Sequence, residues 1–381
     1  MSKTYAEIND KIRQRKAVVV TAEEIIGLVA EKGVTRTAAE VDVVTTGTFG
    51  IMCSSGAFLN IGHSRPRIKA DRMWINGVEA YAGIAAVDCY IGAAQPASGR
   101  DRSFAYGGGH VIHDLAAGKR VRIRAEGAGT DCYPARRLSR DLTLQELPDA
   151  FLFCPRNGYQ NYNCAVNTSG APIHTYMGRL KPDLGNAVYS GAGQLSPLLN
   201  DPFFRTIGVG TRIFLGGGIG YITGPGTQHN SEPIRDENGI PARPAGTLAV
   251  TGDLKEMRSE WLKGVHIRNY GVSLMVGLGI PIPVLDERLV RYAAVRDQDI
   301  RIPVVDYSSD YPDMTGKVIG ETTAADIQHG AISVLGREIP AYSLSNRKKA
   351  RQVADLLKRW IEEGRFEISM PAALIPAAKQ Q

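Results

Sequence analysis

The sequence predicts an α/β fold of mixed sheets with glycine-rich turns, in one large domain or two intimately joined subdomains. Three observations predict it. Short β-branched runs alternate with helix-length stretches, without a strict repeat. Glycine is abundant, 42 of 381 residues, and clusters just after the apolar runs. At 43% hydrophobic and 22% charged residues, the chain can bury a sizeable core without disulfide or metal staples.

The elements follow in order. Residues 4–16 are polar and read as helix. Thr21-Ala22-Glu23-Glu24 reads as an N-cap with an acidic first turn, opening a helix to about Lys32 that ends at Gly33. Thr37-Ala38-Ala39-Glu40 reads as the cap of another brief turn, and Val41–Thr46 as a strand that empties into the glycine-rich run 47–56. Residues 66–92 are strand-rich, 93–109 loop-like, and Lys119–Arg124 a strand. Leu142–Cys154 is a connection into the apolar run Phe151-Leu152-Phe153-Cys154. Residues 155–200, dense in Asn, Gly, Ser and Tyr, read as an irregular functional surface. Ile207–Gly220 is a strand into a tight glycine turn, 225–245 a loop, and Thr247–Leu254 another strand and turn. Val272–Ile280 is apolar and is stopped by Pro281 and Pro283. Asp286–Ala293 reads as helix, Ile302–Asp306 as strand, Asn346–Glu363 as helix ending at Gly364, and Phe366–Met370 as a terminal strand.

The totals exclude several classes. A net charge of +6 over this length is a mild bias. The longest basic cluster, Arg347-Lys348-Lys349-Ala350-Arg351, reads as a solvated helix face, and no nucleic-acid partner is expected. There is no apolar signal core at the N-terminus and no run apolar enough to span a bilayer, so the chain is expected in the cytoplasm, without a membrane partner. Its five cysteines do not make a secreted disulfide framework.

The motifs narrow the chemistry further. Gly216-Gly217-Gly218-Ile219-Gly220 is not a P-loop, since no Gly-Lys-Ser/Thr follows, and Tyr221 departs from the dinucleotide fingerprint. His110 and His113 lack a third ligand at suitable spacing, and no Cys-x-x-Cys occurs, so no metal is expected. No Gly-x-Ser-x-Gly elbow occurs. Thiol chemistry remains. Cys132 lies in Glu126-Gly127-Ala128-Gly129-Thr130-Asp131-Cys132-Tyr133-Pro134-Ala135-Arg136-Arg137, a glycine-rich loop with two arginines close by. Nearby cations favour thiolate, whereas free cysteines are often simply buried. Local sequence leaves both readings open. Cys53 also follows a strand and a glycine turn. Cys89 reads as packing, Cys154 as either, and Cys164 has no obvious activator.

Several separated motifs then resemble one family. Ile51-Met52-Cys53-Ser54-Ser55-Gly56, Gly129-Thr130-Asp131-Cys132-Tyr133-Pro134, Leu195-Ser196-Pro197-Leu198-Leu199-Asn200-Asp201-Pro202 and Gly216-Gly217-Gly218-Ile219-Gly220 look like the homocysteine biosynthesis family. Its characterised activity is L-aspartate semialdehyde sulfurtransferase, in anaerobic archaea and bacteria. The resemblance implies a sulfurtransferase domain over residues 15–370, with terminal extensions at 1–14 and 371–381. It implies a sulfur donor and L-aspartate semialdehyde as partners, with sulfur carried as a persulfide on Cys132 and Cys53 as the second motif cysteine. Two electrons then complete the reduction to L-homocysteine. No flavin or iron–sulfur signature appears and the tail carries no further module, so no cofactor is expected on this chain and a ferredoxin-like protein is expected as electron donor. Asp131, Arg136 and Arg137 are the local candidates for binding the substrate's amine and carboxylate. Backbone N–H groups of Gly216, Gly217 and Gly218 are candidates for its oxygen. A homo-oligomer is compatible with the sequence. Two other readings stand beside this one: an acyl-transfer or ligase enzyme with structural cysteines, and a non-catalytic ligand-binding or scaffold protein of a sulfur relay.

Overall fold

The computed structural model describes residues 2–97, 105–309 and 317–375. The expected tail beyond 375 and part of the expected 93–109 loop lie outside them. Helix α1 (Tyr5–Arg13) starts at a capping box in which Thr4 and Glu7 satisfy each other's backbone N–H groups. Strand β1 (Val19–Thr21) leads into α2 (Glu24–Glu40), which Gly33 breaks at φ +77°. The expected helix end at Gly33 is therefore a kink. Thr37 does not cap a new turn: it sits inside the second half, with its hydroxyl donating to the Gly33 carbonyl at 2.8 Å. Strands β2 (Val43–Thr45), β3 (Thr48–Ile51) and β4 (Gly56–Asn60) follow, then β5 (Arg72–Ile75), β6 (Val78–Ala80) and β7 (Asp88–Gly92).

Helix α3 (Gly108–Ala116) occupies what the sequence presents as the end of a loop. Its glycines hide it. A Cβ on Gly108 would lie 1.9 Å from the Gly92 carbonyl oxygen, and one on Gly109 2.1 Å from that of Ser273. They are there because the helix start presses on sheet backbone, at the cost of helix propensity.

Next come β8 (Val121–Glu126), β9 (Arg137–Leu142) and β10 (Asp149–Asn157). The segment expected to be irregular holds four short strands, β11 (Cys164–Val166), β12 (Ile173–Thr175), β13 (Gly178–Leu180) and β14 (Ala187–Tyr189), and the single-turn helix α4 (Pro197–Asn200). Strands β15 (Gly208–Val209), β16 (Arg212–Leu215), β17 (Gly218–Pro225), β18 (Leu248–Asp253), β19 (Leu262–Ile267), β20 (Gly271–Gly279) and β21 (Pro281–Pro283) follow. The prolines expected only to stop β20 thus form a short strand of their own, paired with β2. Helix α5 (Glu287–Ala293) forms where a helix is expected, with Asp286 as its N-cap. The chain continues through β22 (Arg301–Asp306), β23 (Lys317–Thr323), α6 (Ala324–His329), β24 (Ala331–Val334), β25 (Arg337–Ser343), α7 (Arg347–Glu362) and β26 (Ala373–Leu374). Residues 366–370 join no sheet ladder. Instead, the Asn9 side chain brackets Ile368, accepting from its N–H at 3.0 Å and donating to its carbonyl at 2.9 Å. The terminal strand is β26, paired with β15.

The fold is mixed α/β, as the sequence predicts. A nine-stranded sheet runs β19-β20-β16-β17-β18-β10-β4-β7, with β3 added beside β20. One face, with Ala57, Leu59, Leu152 and Val250, packs on α3 and on the four-stranded sheet β6-β5-β8-β9. On the other face α7 lies over β3 and β20, and its Val353, Leu357 and Ile361 share a cluster with Phe214, Trp261 and Ile8 and Ile12 of α1. A six-stranded sheet, β23-β22-β11-β14-β25-β24, forms a second core around Val304, Tyr189 and Ile327. The basic cluster on α7 is spent on local acids. Arg347 and Arg351 both pair with Glu23, and Lys349 pairs with Glu260. No helix among the described residues is long and apolar enough to cross a membrane.

Candidate active site

Cys53 sits in the tight turn between β3 and β4, closed by the Ser55 N–H donating to the Met52 carbonyl at 3.0 Å. The turn opens onto a cavity of about 390 Å³, within the usual ~300–1,000 Å³ of small-ligand sites. Arg156, Tyr159, Tyr162, Tyr176, Ser190, Gln228 and Tyr270 line it with Cys53. The cavity therefore forms where the end of the large sheet meets the second core. The largest share of its wall, six of thirteen lining residues, comes from residues 156–190.

Its electrostatics are those of one cation among neutral hydroxyls. Arg156 makes no ion pair with any described residue, and no Asp or Glu lines the cavity among them. Burial pushes the hydroxyls of Tyr159 and Tyr162 up to about 12. Arg156 pulls both down and Cys53 pushes both up, by smaller amounts. Tyr162 donates to the Tyr176 hydroxyl at 2.9 Å, and Tyr176 meets the Tyr307 hydroxyl at 2.8 Å. Burial, then the neighbouring tyrosines, drive Tyr176 far above its ordinary range. These phenols are protonated donors at neutral pH, arranged in a chain.

Cys132 lies elsewhere. It is exposed, in a turn between β8 and β9 where Thr130 and Tyr133 exchange backbone hydrogen bonds at 2.9 and 3.0 Å. The Tyr133 ring stacks on His63, and Ala135 bridges to Ile68. Residues 61–70 follow the last residue of β4, whereas Cys53 precedes its first. The strand between, Gly56–Asn60, spans about 13 Å. The two cysteines thus stand at opposite ends of β4, not side by side. Asp131, Arg136 and Arg137 share the Cys132 hairpin. Arg136 folds over Gly129, Arg137 pairs in register with Glu126, and none of them is in the lining of the Cys53 cavity.

Gly216, Gly217 and Gly218 form a third location. Leu215 pairs with Gly218, so Gly216 and Gly217 are a two-residue hairpin turn, with φ +60° and +97°. Two successive positive φ values are what such a turn demands. The Gly216 N–H already donates to the Gly277 carbonyl at 2.8 Å. A Cβ on Gly217 would lie 2.6 Å from the Trp261 ring. The structure accounts for this cluster through hairpin geometry and packing, outside the cysteine cavity.

The other three cysteines are buried, and burial pushes Cys89 and Cys164 up to about 12 and Cys154 up to about 11. Cys154 contacts the Ser55 hydroxyl at 3.0 Å, beneath the Cys53 turn. No group of three His, Cys, Asp or Glu among the described residues could hold a metal ion. Sequence reasoning did not single out Arg156 or the tyrosines. The available signal was the run Asn157-Gly158-Tyr159-Gln160-Asn161-Tyr162-Asn163, polar and aromatic together in a segment without helix or strand periodicity.

Comparison with known proteins adds an independent line. The model of a family described as homocysteine biosynthesis enzyme, sulfur-incorporation, matches residues 17–368. The chain is 49% identical over 371 residues to the L-aspartate semialdehyde sulfurtransferase of Methanosarcina acetivorans, covering 97% of this chain and 71% of that protein. It is 48% identical over 377 residues to the protein of the same name from Methanocaldococcus jannaschii, covering 96% of this chain and 71% of that one. No solved structure matches. A match over nearly the whole chain, with the Cys53 and Cys132 motifs inside it, places this protein in the homocysteine biosynthesis, sulfur-incorporation family of enzymes.

Proposed function

We propose that this enzyme converts L-aspartate 4-semialdehyde to L-homocysteine through a cysteine persulfide, with electrons from outside the chain. The observation that carries the reading is a thiol, Cys53, in a cavity whose one lining cation, Arg156, has no carboxylate partner among the described residues. The names of the 48–49% identical relatives support the substrate.

Cys132 is exposed, where a sulfur donor can reach it, and carries the persulfide first. The Cys53 thiolate attacks its outer sulfur, so that Cys132–S–SH and Cys53–SH become Cys132–SH and Cys53–S–SH with no net electron transfer. Arg156 holds the substrate carboxylate through charge-assisted hydrogen bonds. The ammonium group rests against the tyrosine rings and hydroxyls. The outer sulfur of Cys53 adds to the aldehyde carbon, and the tyrosine hydroxyls donate to the oxygen as it gains charge. Two electrons and two protons split the S–S bond, leaving Cys53–SH and a carbon bearing OH and SH. Loss of water gives the thioaldehyde. Two further electrons and protons give the thiol. A ferredoxin-like protein supplies both pairs, one pair more than the two electrons the family resemblance implies, because the outer sulfur of a persulfide must itself be reduced to the sulfide level.

The test uses purified protein, polysulfide as sulfur source and a low-potential reductant. Mass spectrometry should show one added sulfur on Cys132, and Cys132→Ser should abolish homocysteine formation. Wild-type rates in Cys132→Ser would overturn the persulfide role. Full turnover with sulfide and no further reductant would overturn the external electron donor.

A further inference from the structure

The phenols beside Cys53 do not play equal parts. A hydroxyl has one proton, so it can donate once. Tyr162 gives its proton to the Tyr176 oxygen at 2.9 Å. The Tyr176 and Tyr307 oxygens are 2.8 Å apart, and either can donate across that gap. Tyr307 is 5% exposed and is not in the cavity lining, whereas Tyr176 is. Burial raises the Tyr307 hydroxyl, and its hydrogen-bond partners Tyr176 and Asn163 lower it. A carboxamide lowers a phenol through its N–H, so Asn163 is a donor there and does not draw the Tyr307 proton away. Of the three phenols, Tyr176 alone combines a donor on each side with a place in the cavity wall. When it donates into the cavity, Tyr162 and Tyr307 both donate to its oxygen, and each such bond polarises the next.

The fold holds this hydroxyl still. Thr175 pairs with Gly178, so Tyr176 and Met177 are the two-residue turn between β12 and β13. The buried Thr175 hydroxyl fixes that turn, accepting from the Met177 N–H at 3.0 Å and donating to the Gly178 carbonyl at 3.1 Å. Tyr307 continues β22, and its N–H donates to the Val166 carbonyl of β11 at 3.0 Å. Met177, Val305 and Tyr307 share one buried cluster, with Tyr162 and Tyr176 packed against it. A donor aimed in advance needs no reorganisation when charge develops on its acceptor. Tyr159 is the rival, because it lines the same cavity. Its hydroxyl has no hydrogen bond to any described residue, so a ligand would have to fix it on binding. Burial also keeps Tyr176 protonated far above its ordinary range, so it is a standing donor at any working pH.

We propose that Tyr176 is the catalytic donor to the oxygen of the attacked aldehyde, and that Tyr162, Tyr307 and Asn163 are positioning residues that turn its proton into the cavity. The assignment rests on the reading of this cavity as the aldehyde site. It narrows the tyrosine hydroxyls to one, and it brings in Tyr307 and Asn163, which touch no substrate. The same hydrogen bond is available to a simpler adduct than the persulfide one. The Cys53 thiol adds directly to an aldehyde: a C–S bond forms, the carbonyl π bond breaks, and the thiol proton ends on the oxygen. No electrons are gained or lost, so neither sulfur source nor reductant is needed.

The test follows that adduct on the full chain. The probe is succinic semialdehyde labelled with ¹³C at the aldehyde carbon, and the protein carries Cys132→Ser so that its exposed thiol does not compete. Carbon NMR should show a hemithioacetal that is absent once Cys53→Ser is added. Tyr176→Phe should weaken the adduct about tenfold. Tyr307→Phe should weaken it about threefold, and should add nothing on top of Tyr176→Phe, since it acts only through that hydroxyl. Circular dichroism checks that each variant is folded. An adduct as tight in Tyr176→Phe as in its parent, or one weakened more by Tyr159→Phe, would overturn the donor assignment. Equal losses from Tyr307→Phe on both backgrounds would show a general structural effect and overturn its positioning role. Absence of any Cys53 adduct in the parent would instead overturn the cavity as the aldehyde site.

Discussion

Arg156→Met tests the cavity as the substrate site. The guanidinium stands in the cavity wall with no carboxylate partner among the described residues, beside hydroxyls that burial keeps protonated. A bound carboxylate would take up two of its N–H groups. Charge-assisted hydrogen bonds are worth ~1.5–3 kcal/mol each, and two between the same guanidinium and carboxylate add less than fully, so losing the pair costs about 3–4 kcal/mol. At 1.4 kcal/mol per decade that is a fall of about two to three powers of ten in kcat/KM for L-aspartate semialdehyde. Methionine keeps the volume and the stem packing, so stability should change little. The assay is homocysteine formation against substrate concentration, with sulfur source and reductant saturating. Persulfide loading of Cys132, followed by mass, should stay as in wild type. Arg136→Met and Arg137→Met, on the other hairpin, are the comparison. If Arg156→Met keeps KM within about twofold while Arg136→Met or Arg137→Met raises it by a power of ten or more, the carboxylate binds at the Cys132 hairpin and the assignment to Arg156 is wrong.

Three further outcomes are expected. Gly217→Ala should lower stability by about 3 kcal/mol in urea, from left-handed backbone strain plus the clash with Trp261, and leave the substrate KM unchanged; an altered KM would return the glycine turn to the site. Arg205 grips Asp286 through two hydrogen bonds of 2.9 and 2.6 Å and holds its carboxyl at about 2, below the ordinary 3.8. A depressed carboxyl stabilises the fold above pH 3.8 and loses that contribution as pH falls toward 2. Discounted for partial exposure, wild type should exceed Asp286→Asn by about 1 kcal/mol at pH 6 and by roughly half that at pH 3; a gap independent of pH would refute the pairing. A thiol reagent at pH 7 should modify Cys132 first and reach Cys89, Cys154 and Cys164 only on unfolding, because burial both shields those thiols and raises them to about 11–12.

What could be read in advance was local. Asp286 before an apolar-periodic run, Asn346 with Gly364 bracketing α7, and the β-branched run at Val43–Thr45 each carry their own conformational preference, and each formed the expected element. Helix α3 was hidden because Gly108 and Gly109 answer to sheet backbone that arrives from β7 and β20, far away in sequence. The Gly216-Gly217 pair shows the converse: a motif that suggested ligand binding has a sufficient cause in one hairpin turn. Cys53 was legible as a thiol on a turn. Its neighbours Arg156, Tyr162 and Tyr176 were not, since only the meeting of two sheets brings them to it. The separation of Cys53 from Cys132 depends on the direction in which β4 runs, which no local pattern encodes.

The bracket that Asn9 places on Ile368 bears on how the chain is made. The partners are 359 positions apart, and the cluster they lock holds Ile8 and Ile12 from the first helix with Leu357, Ile361 and Phe366 from the last stretch. A ribosome adds residues at ~5–20 per second, so α1 emerges tens of seconds before the C-terminal half of this cluster. Until then its apolar stripe has only Val19 and Val43 of its native cluster to pack on, and nine residues are too few to hold a helix alone. Closure of this seam is therefore a late, long-range event, and the stage at which the nascent chain is most open to capture by chaperones or by its neighbours.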